Sequence, residues 1–346
     1  MAYGFQKIRM LILDALELNP TKRRPVWIMR QAGRYLASYR ALRQKYSFDE
    51  FAGNADLAVE VSLLPLNQYE LDAAIIFSDI LIPLRAMGVE VRFEEGGPTI
   101  TAPKTVDDIK KLIRHYHPET HTPVILKSLS LLRSQVSPEK AVLGFAGAPF
   151  TMLAYLLEGD LTKDLGVTKK WMAKEPKLIE ELLSHLAQMM GDYLDAQARA
   201  GANAVQLFDT WASVLSVSDY ERFALPYARR AISAVTVPCL YYVNGVSHLL
   251  EQAAATGAQA LSVDWRISLG EARKRLNQIT ALQGNLDPYH LLLPKDQIRQ
   301  KVFEMCESYG RGPGHIVNLG HGIVPSIPED GVKSFIDAVH EWSLSL

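Results

Sequence analysis

Short apolar runs that alternate with longer amphipathic stretches constrain this chain more than any other feature. The runs fall at residues 25–29, 73–77, 142–146, 204–208, 239–243, 260–263, 280–283 and 316–319. Between most of them the apolar residues recur at helical spacing. In 178–194, for example, Leu178, Leu182, Leu183, Leu186, Met189, Met190 and Tyr193 fall on one stripe. Strands that alternate with helices imply βαβ crossovers and a parallel sheet buried on both faces. Eight such strands are the number that closes a (β/α)8 TIM barrel, and that is the fold class the pattern predicts.

The residues at the end of each run point the same way. Met29 leads into Arg30, Phe77 into Ser78 and Asp79, Phe208 into Asp209 and Thr210, and Val263 into Asp264. Val243 leads into Asn244, Gln283 into Gly284 and Asn285, and Leu319 into Gly320 and His321. In a barrel the carboxyl ends of the strands share one rim, where active sites are built. Asp, Asn and Gly also favour turns and helix caps, so position alone does not separate a functional residue from a turn residue. One excursion breaks the rhythm: 89–101 alternates at period two around Gly96 and Gly97 and is predicted as a β-hairpin inserted after the second strand. With no fixed-period repeat and no Gly-, Ser- or Pro-rich linker, residues 1–346 are expected to form one domain.

The formal net charge is -1, which excludes a broadly basic, nucleic-acid-binding surface. An anionic ligand must then be met by a few local arginines. Cys239 and Cys306 lie far apart without CxxC or HxC spacing, so no disulfide framework is expected and a reducing compartment is the default. The apolar run at 10–13 is stopped by Asp14. That is too short for a signal peptide or a spanning helix, so the expected location is the cytoplasm, without membrane contact.

Several constellations could carry chemistry. Arg30 and Arg34 are four apart and would point to one side if the segment turns helically, making an anion-binding rim suited to carboxylates. The alternative is a structural salt bridge for one of them. Asp79 stands at the expected barrel mouth as a helix cap, a metal ligand, a base or an acceptor for substrate N–H groups. His321 lies between Gly320 and Gly322, which permit close backbone approach to a ligand. His115, His117 and His121 have a metal-like spacing, yet they lie in a loop away from any strand end and are read as solvated histidines. The glycine-rich 310–314 precedes a strand, so it is a turn and not a phosphate cradle.

Four strings together suggest a family. They are Pro-Val-Trp-Ile-Met-Arg-Gln-Ala-Gly-Arg-Tyr-Leu at 25–36, Ala-Ala-Ile-Ile-Phe-Ser-Asp-Ile at 73–80, Gly-Phe-Ala-Gly-Ala-Pro-Phe-Thr at 144–151 with Tyr155, and Asn-Leu-Gly-His-Gly-Ile at 318–323. They resemble the signatures of uroporphyrinogen decarboxylases, in order, over nearly the whole chain. The resemblance implies a flexible, many-carboxylate tetrapyrrole as substrate, domed into the barrel mouth. It implies that Asp79 accepts the pyrrole N–H groups while Arg30, Arg34 and His321 meet acetate and propionate carboxylates. Gln31, Ala32 and Gly33 would line the same wall, Tyr155 and Thr210 would complete the polar contacts, and Phe48 would pack on the macrocycle. Position 210 is serine in many members and Phe150 stands where tryptophan is common.

The implied reaction removes acetate carboxyl groups, leaving methyls and giving coproporphyrinogen. It needs no cofactor and no metal, because a protonated pyrrole accepts the electrons released with CO2 and an ionised Asp79 stabilises that cation. Arg30 and Asp79 are both candidates for delivering the proton. A homodimer is implied by the resemblance alone. Two rival readings compete with this one. Zinc methyltransferases on the same barrel need an HxC pair that 240–245 does not offer. A non-catalytic tetrapyrrole carrier would use the arginines but not Asp79.

Overall fold

The computed structural model describes residues 9–94, 97–159 and 164–345. Its centre is a curled, seven-stranded parallel sheet in sequential order. The strands are β1 (Ala73–Ile75), β4 (Ala141–Gly147), β5 (Ala204–Asp209), β6 (Cys239–Val243), β7 (Ala260–Ser262), β8 (Ala281–Leu286) and β9 (His315–Leu319). Between β1 and β4 the strands β2 (Val91–Glu94) and β3 (Gly97–Ile100) pair antiparallel, Val91 opposite Ile100. Residues 95 and 96, on which the expected hairpin turn falls, lie outside the described residues. The amphipathic stretch around 178–194 is the helix Pro176–Arg199, whose apolar stripe is buried against the sheet and its neighbours.

The first apolar run is not a strand. Only Val26 makes a ladder contact, one parallel bridge to Val317. The reason lies in where the backbone donors go. Pro25 has none. The N–H of Val26 is taken by the Asp72 carboxylate at 2.8 Å, that of Ile28 by the Gln31 side chain at 3.1 Å, and that of Met29 by the Asn318 side chain at 3.0 Å. Side chains hold this segment where a ladder would. It is nonetheless tied to both edges of the sheet: Asp72 N donates to Val26 O at 2.8 Å, and Val317 N donates to Pro25 O at 2.8 Å.

Two other boundaries differ from expectation. β1 ends at Ile75 because Phe77 gives its N–H to the Ser62 hydroxyl at 2.8 Å. β8 runs on through Gly284 and Asn285, residues expected in a turn, because Asn285 and Leu286 register with Asn318 and Leu319 of β9. Inside the curl the strands open with small residues: Ala73, Ala141, Ala204, Ala260 and Ala281 pack with Ile12, Ala15 and Leu16 of the helix Leu11–Leu16, which fills one end. Above this layer Trp27 Nε1 donates to Gln283 Oε1 at 2.7 Å, and Gln283 Nε2 reaches Gln206 and Ser262, each at 3.0 Å. The other end is open.

Asp72 also receives both Nη atoms of Arg23, at 2.7 and 2.6 Å. Asp72→Ala should therefore leave the Val26 N–H unpaired inside the protein and destabilise by about 2–3 kcal/mol. Denaturant unfolding checks this, and a loss under about 0.5 kcal/mol, the range of ordinary surface substitutions, would show that the segment is held by packing alone.

Candidate active site

The carboxyl ends of the strands surround a cavity of about 350 Å³, within the usual range of ligand sites. Its floor is aromatic. Phe145 of β4, Phe208 of β5 and Tyr242 of β6 meet edge-on, with centroids 5.8 and 5.9 Å apart. One wall is aromatic too: Phe48 lies 5.7 Å from Phe77 and 4.5 Å from Phe93 of β2, so the antiparallel pair supports this wall. Such a surface suits flat, apolar rings.

Polar groups converge above the floor. Arg30 and Arg34 lie in turns, not in a helix, since the helix begins only at Ala37. Arg30 has φ 64°, a left-handed conformation that disfavours a side chain and that survives where surroundings enforce it. Its side chain runs over Gly322, where a Cβ would come within 2.4 Å of Arg30 Cδ. Among the described residues neither the Arg30 nor the Arg34 guanidinium has an ion pair or a hydrogen bond, so the structural salt-bridge reading falls away.

Asp79 stands after β1 and accepts the Leu81 N–H at 2.8 Å, so it caps the next turn as well as facing the cavity. Burial pushes its carboxyl above the usual range, against the pull of the Leu81 N–H and the Arg30 charge. Burial, then the Arg30 charge, lowers the His321 pKa, so the imidazole is neutral near pH 7. Tyr155 is held protonated by burial, with Asp79 adding to the effect and Trp211 and Arg30 opposing it. Arg30 thus acts electrostatically on every titratable group at the centre, whereas Arg34 bears on Tyr39 at the periphery.

A buried network holds the rim from below. Asp209, the last residue of β5, accepts the Thr151 hydroxyl at 2.7 Å and the Tyr241 hydroxyl at 2.6 Å. Thr151 in turn accepts the Trp211 N–H at 3.2 Å, so the β5 loop that carries Thr210 is anchored to the helix Pro149–Glu158 that carries Tyr155. Burial lifts the Asp209 carboxyl to about 6 despite both hydroxyls.

Of the residues singled out in the sequence, Arg30, Ala32, Gly33, Arg34, Phe48, Asp79, Tyr155, Thr210 and His321 all line this one cavity. Gln31 does not. Its amide is fully buried and spent on the Ile28 N–H and, at 3.0 Å, on the Ala73 carbonyl. The three histidines stay apart from the cavity, and the stretch expected as a loop holds a short helix, Pro118–His121, that ends in His121. His115 and His117 meet edge-on at 4.1 Å, while His121 stacks on Tyr116 and takes the His117 N–H at 2.9 Å. Sequence reasoning missed the floor, although the period-two sets Ala141, Leu143, Phe145 and Leu240, Tyr242 carried the signal for inward-facing positions.

A family model described as uroporphyrinogen decarboxylase matches residues 8–342. A uroporphyrinogen decarboxylase of Geobacter metallireducens is 41% identical, with 96% of this chain and 98% of that protein aligned. One from Desulfotalea psychrophila is 44% identical, with 96% and 98% aligned. Among solved structures, a methyltransferase from Methanosarcina mazei superposes with TM-score 0.80 at 22% identity, covering 96% of this chain and 99% of the other, a likeness of fold. Cys239, the thiol nearest to the rival zinc chemistry, is buried within β6 and raised by that burial to about 12.

The Asp209 shift makes a pH prediction. An ordinary carboxyl titrates near 3.9, so the folded protein holds this proton more tightly than the unfolded chain. The resulting stability is fully present at low pH and is lost as pH rises from roughly 4 through about 6. The stability of the native chain relative to Asp209→Asn should fall by about 1–3 kcal/mol between these limits. Paired melts across that range test it, and a pH-independent difference would refute the assignment.

Proposed function

The chain belongs to the uroporphyrinogen decarboxylase family, and from that premise we propose that it is a carboxy-lyase of porphyrin and heme synthesis that converts uroporphyrinogen to coproporphyrinogen. The observation that carries this reading is one aromatic-floored cavity lined by two guanidiniums that have no partner among the described residues, with Arg30 near the buried Asp79 carboxyl. Pyrrole rings are apolar and flat, the macrocycle's edge is lined with carboxylates, and its centre presents N–H donors. The cavity offers the complement of each.

In this reading Asp79 accepts the pyrrole N–H groups. A proton adds to a pyrrole carbon, the ring becomes cationic, and the electron pair of the C–CO2 bond flows into it as CO2 leaves. A second proton on the exocyclic carbon and loss of the first restore the aromatic ring, now bearing a methyl group. Each cycle consumes one proton net. The ring cation arriving beside Asp79 favours its carboxylate form, reversing the effect of burial at the moment charge develops. Arg30, among the central groups, meets the acetate that reacts; Arg34, further out, holds a carboxylate that does not. His321, Tyr155 and Thr210 supply neutral polar contacts, and Phe48 packs on a pyrrole.

The same proposal takes the segment 25–29 as the eighth stave of a (β/α)8 barrel, with 89–101 as a hairpin insertion and residues 1–346 as one domain. It places the protein in the cytoplasm as a homodimer, acting on a small tetrapyrrole without metal, organic cofactor, nucleic acid or membrane. No helix among the described residues is long and apolar enough to cross a membrane.

Three outcomes are expected. Asp79→Asn should lower turnover of uroporphyrinogen by about 10²–10³-fold, followed by product chromatography under reducing, dark conditions; near-normal turnover would leave Asp79 as a turn cap. Arg30→Lys should chiefly lower kcat and Arg34→Lys chiefly raise KM, because an interaction felt in the transition state acts on kcat and uniform binding acts on KM. The control Arg299→Lys, whose side chain pairs with Glu341 at 2.7 Å on the helix Lys295–Tyr309, should do neither. Exhaustive chelation and gel filtration should leave activity unchanged, and a loss restored by zinc would contradict the metal-free reading.

A further inference from the structure

The β7 loop carries a third arginine that no motif marked. Arg266 follows Asp264 and Trp265. Asp264 is fully buried, and its carboxylate accepts the Gly245 N–H, the Arg266 main-chain N–H at 3.0 Å and the Arg266 guanidinium. Arg266 Nη1 also donates to Asn244 Oδ1 at 3.2 Å, at the end of β6, and the guanidinium plane lies 4.9 Å from the centre of the Trp265 ring. The long side chain is thus fixed on two loops and an aromatic face. Its rotamer entropy has been lost before any ligand arrives. Yet half of it remains exposed, and among the described residues neither Nη2 nor Nε has a hydrogen-bond partner.

Arg266 does not line the cavity itself; its loop packs against the rim beside His321. Gly320, directly before His321, is pressed against the β7 loop: a Cβ there would come within 2.9 Å of Asp264 Cα and of Trp265 N. Tyr242, whose ring forms part of the floor, donates to Gly320 O at 3.3 Å. Both charges of the pair reach these cavity residues: Asp264, with the larger effect, favours the protonated forms of His321 and Tyr242, and Arg266 opposes it. In strand order β7 stands four places from β1, which puts Arg266 across the mouth from Asp79.

Building on the decarboxylase reading, we propose that Arg266 is a third carboxylate anchor, holding a peripheral carboxylate of the macrocycle across the mouth from Asp79, with His321 between it and Arg30. A purely structural partner for Asp264 would not need a planar fork with a free edge. A macrocycle with carboxylates on every side, held at one edge only, would be free to tilt out of the mouth. Arg30 and Arg34, with a braced arginine beyond His321, hold it level, so that each pyrrole in turn meets Asp79 in the same attitude.

Steady-state kinetics with uroporphyrinogen tests this on the full-length protein. Arg266→Gln removes the charge and keeps a donor for Asp264. It should raise KM on the order of tenfold with kcat nearly unchanged, as expected for uniform binding. Inhibition by coproporphyrinogen, which retains propionates and lacks acetates, identifies the group held: weakened inhibition in the variant assigns a propionate, and unchanged inhibition with a raised KM assigns an acetate. A lowered melting temperature with unchanged KM overturns the proposal and leaves Arg266 as a structural partner of Asp264. Should Arg266→Gln not fold, Arg266→Lys keeps the charge beside Asp264 but not the fork; its KM should rise several-fold, and an unchanged KM there overturns the proposal equally. If the native protein itself leaves uroporphyrinogen untouched, the reaction reading is what fails.

Discussion

The arrangement of this protein depends on how one irregular segment is tied between the two edges of a parallel sheet. Parallel sheets are stable when buried on both faces, and their edges expose unpaired backbone groups. Here 25–29 lies between β1 and β9, bonded to Asp72 on one side and to Val317 and Asn318 on the other. It does so with few ladder bonds, because Asp72, Gln31 and Asn318 satisfy its N–H groups from their side chains. The tie brings Arg30 near Asp79 and over Gly322, which lies most of the chain length away.

That placement sets the electrostatics. Among the described residues the Arg30 guanidinium has no protein partner, and its charge acts on a carboxyl that burial raises. The positive φ of Arg30 adds local strain. Such combinations persist where a ligand completes them. The surroundings are correspondingly rigid: Asp209 and its hydroxyl partners hold the β5 loop, and Asp264 with Arg266 holds the β7 loop. Neither buried carboxylate lines the cavity itself: Asp209 braces the loop that carries Thr210, and Asp264 braces Arg266.

The glycines around His321 show how closely the rim is packed. Gly322 makes room for the Arg30 stem and Gly320 for the β7 backbone. The Gly-His-Gly string is a record of two crossings, one on each side of the imidazole. A side chain at either position would push apart loops packed against the end of β9. The neutral histidine between them is left to hydrogen-bond, while the arginines carry the charge.

Much of this was legible in the sequence. Strand-length apolar runs and helical stripes set the parallel architecture, because periodicity reports local burial directly. The polar residues after each run marked the rim, and the specific strings at 25–36, 73–80 and 318–323 named the residues that line the cavity. Tertiary structure alone decided the rest. Gln31 sits inside a signature string, yet its amide is spent on backbone groups that only the folded register brings near. The run at 25–29 has a strand's composition but loses its ladder to side chains distant in sequence, and β8 continues through a Gly-Asn pair because β9 lies beside it. No motif marks Arg266; only the fold buries Asp264 beneath it and presses Gly320 against its loop. Sequence pattern records which faces of an element are buried. It does not record which distant group arrives to take a hydrogen bond or fill the space beside a glycine.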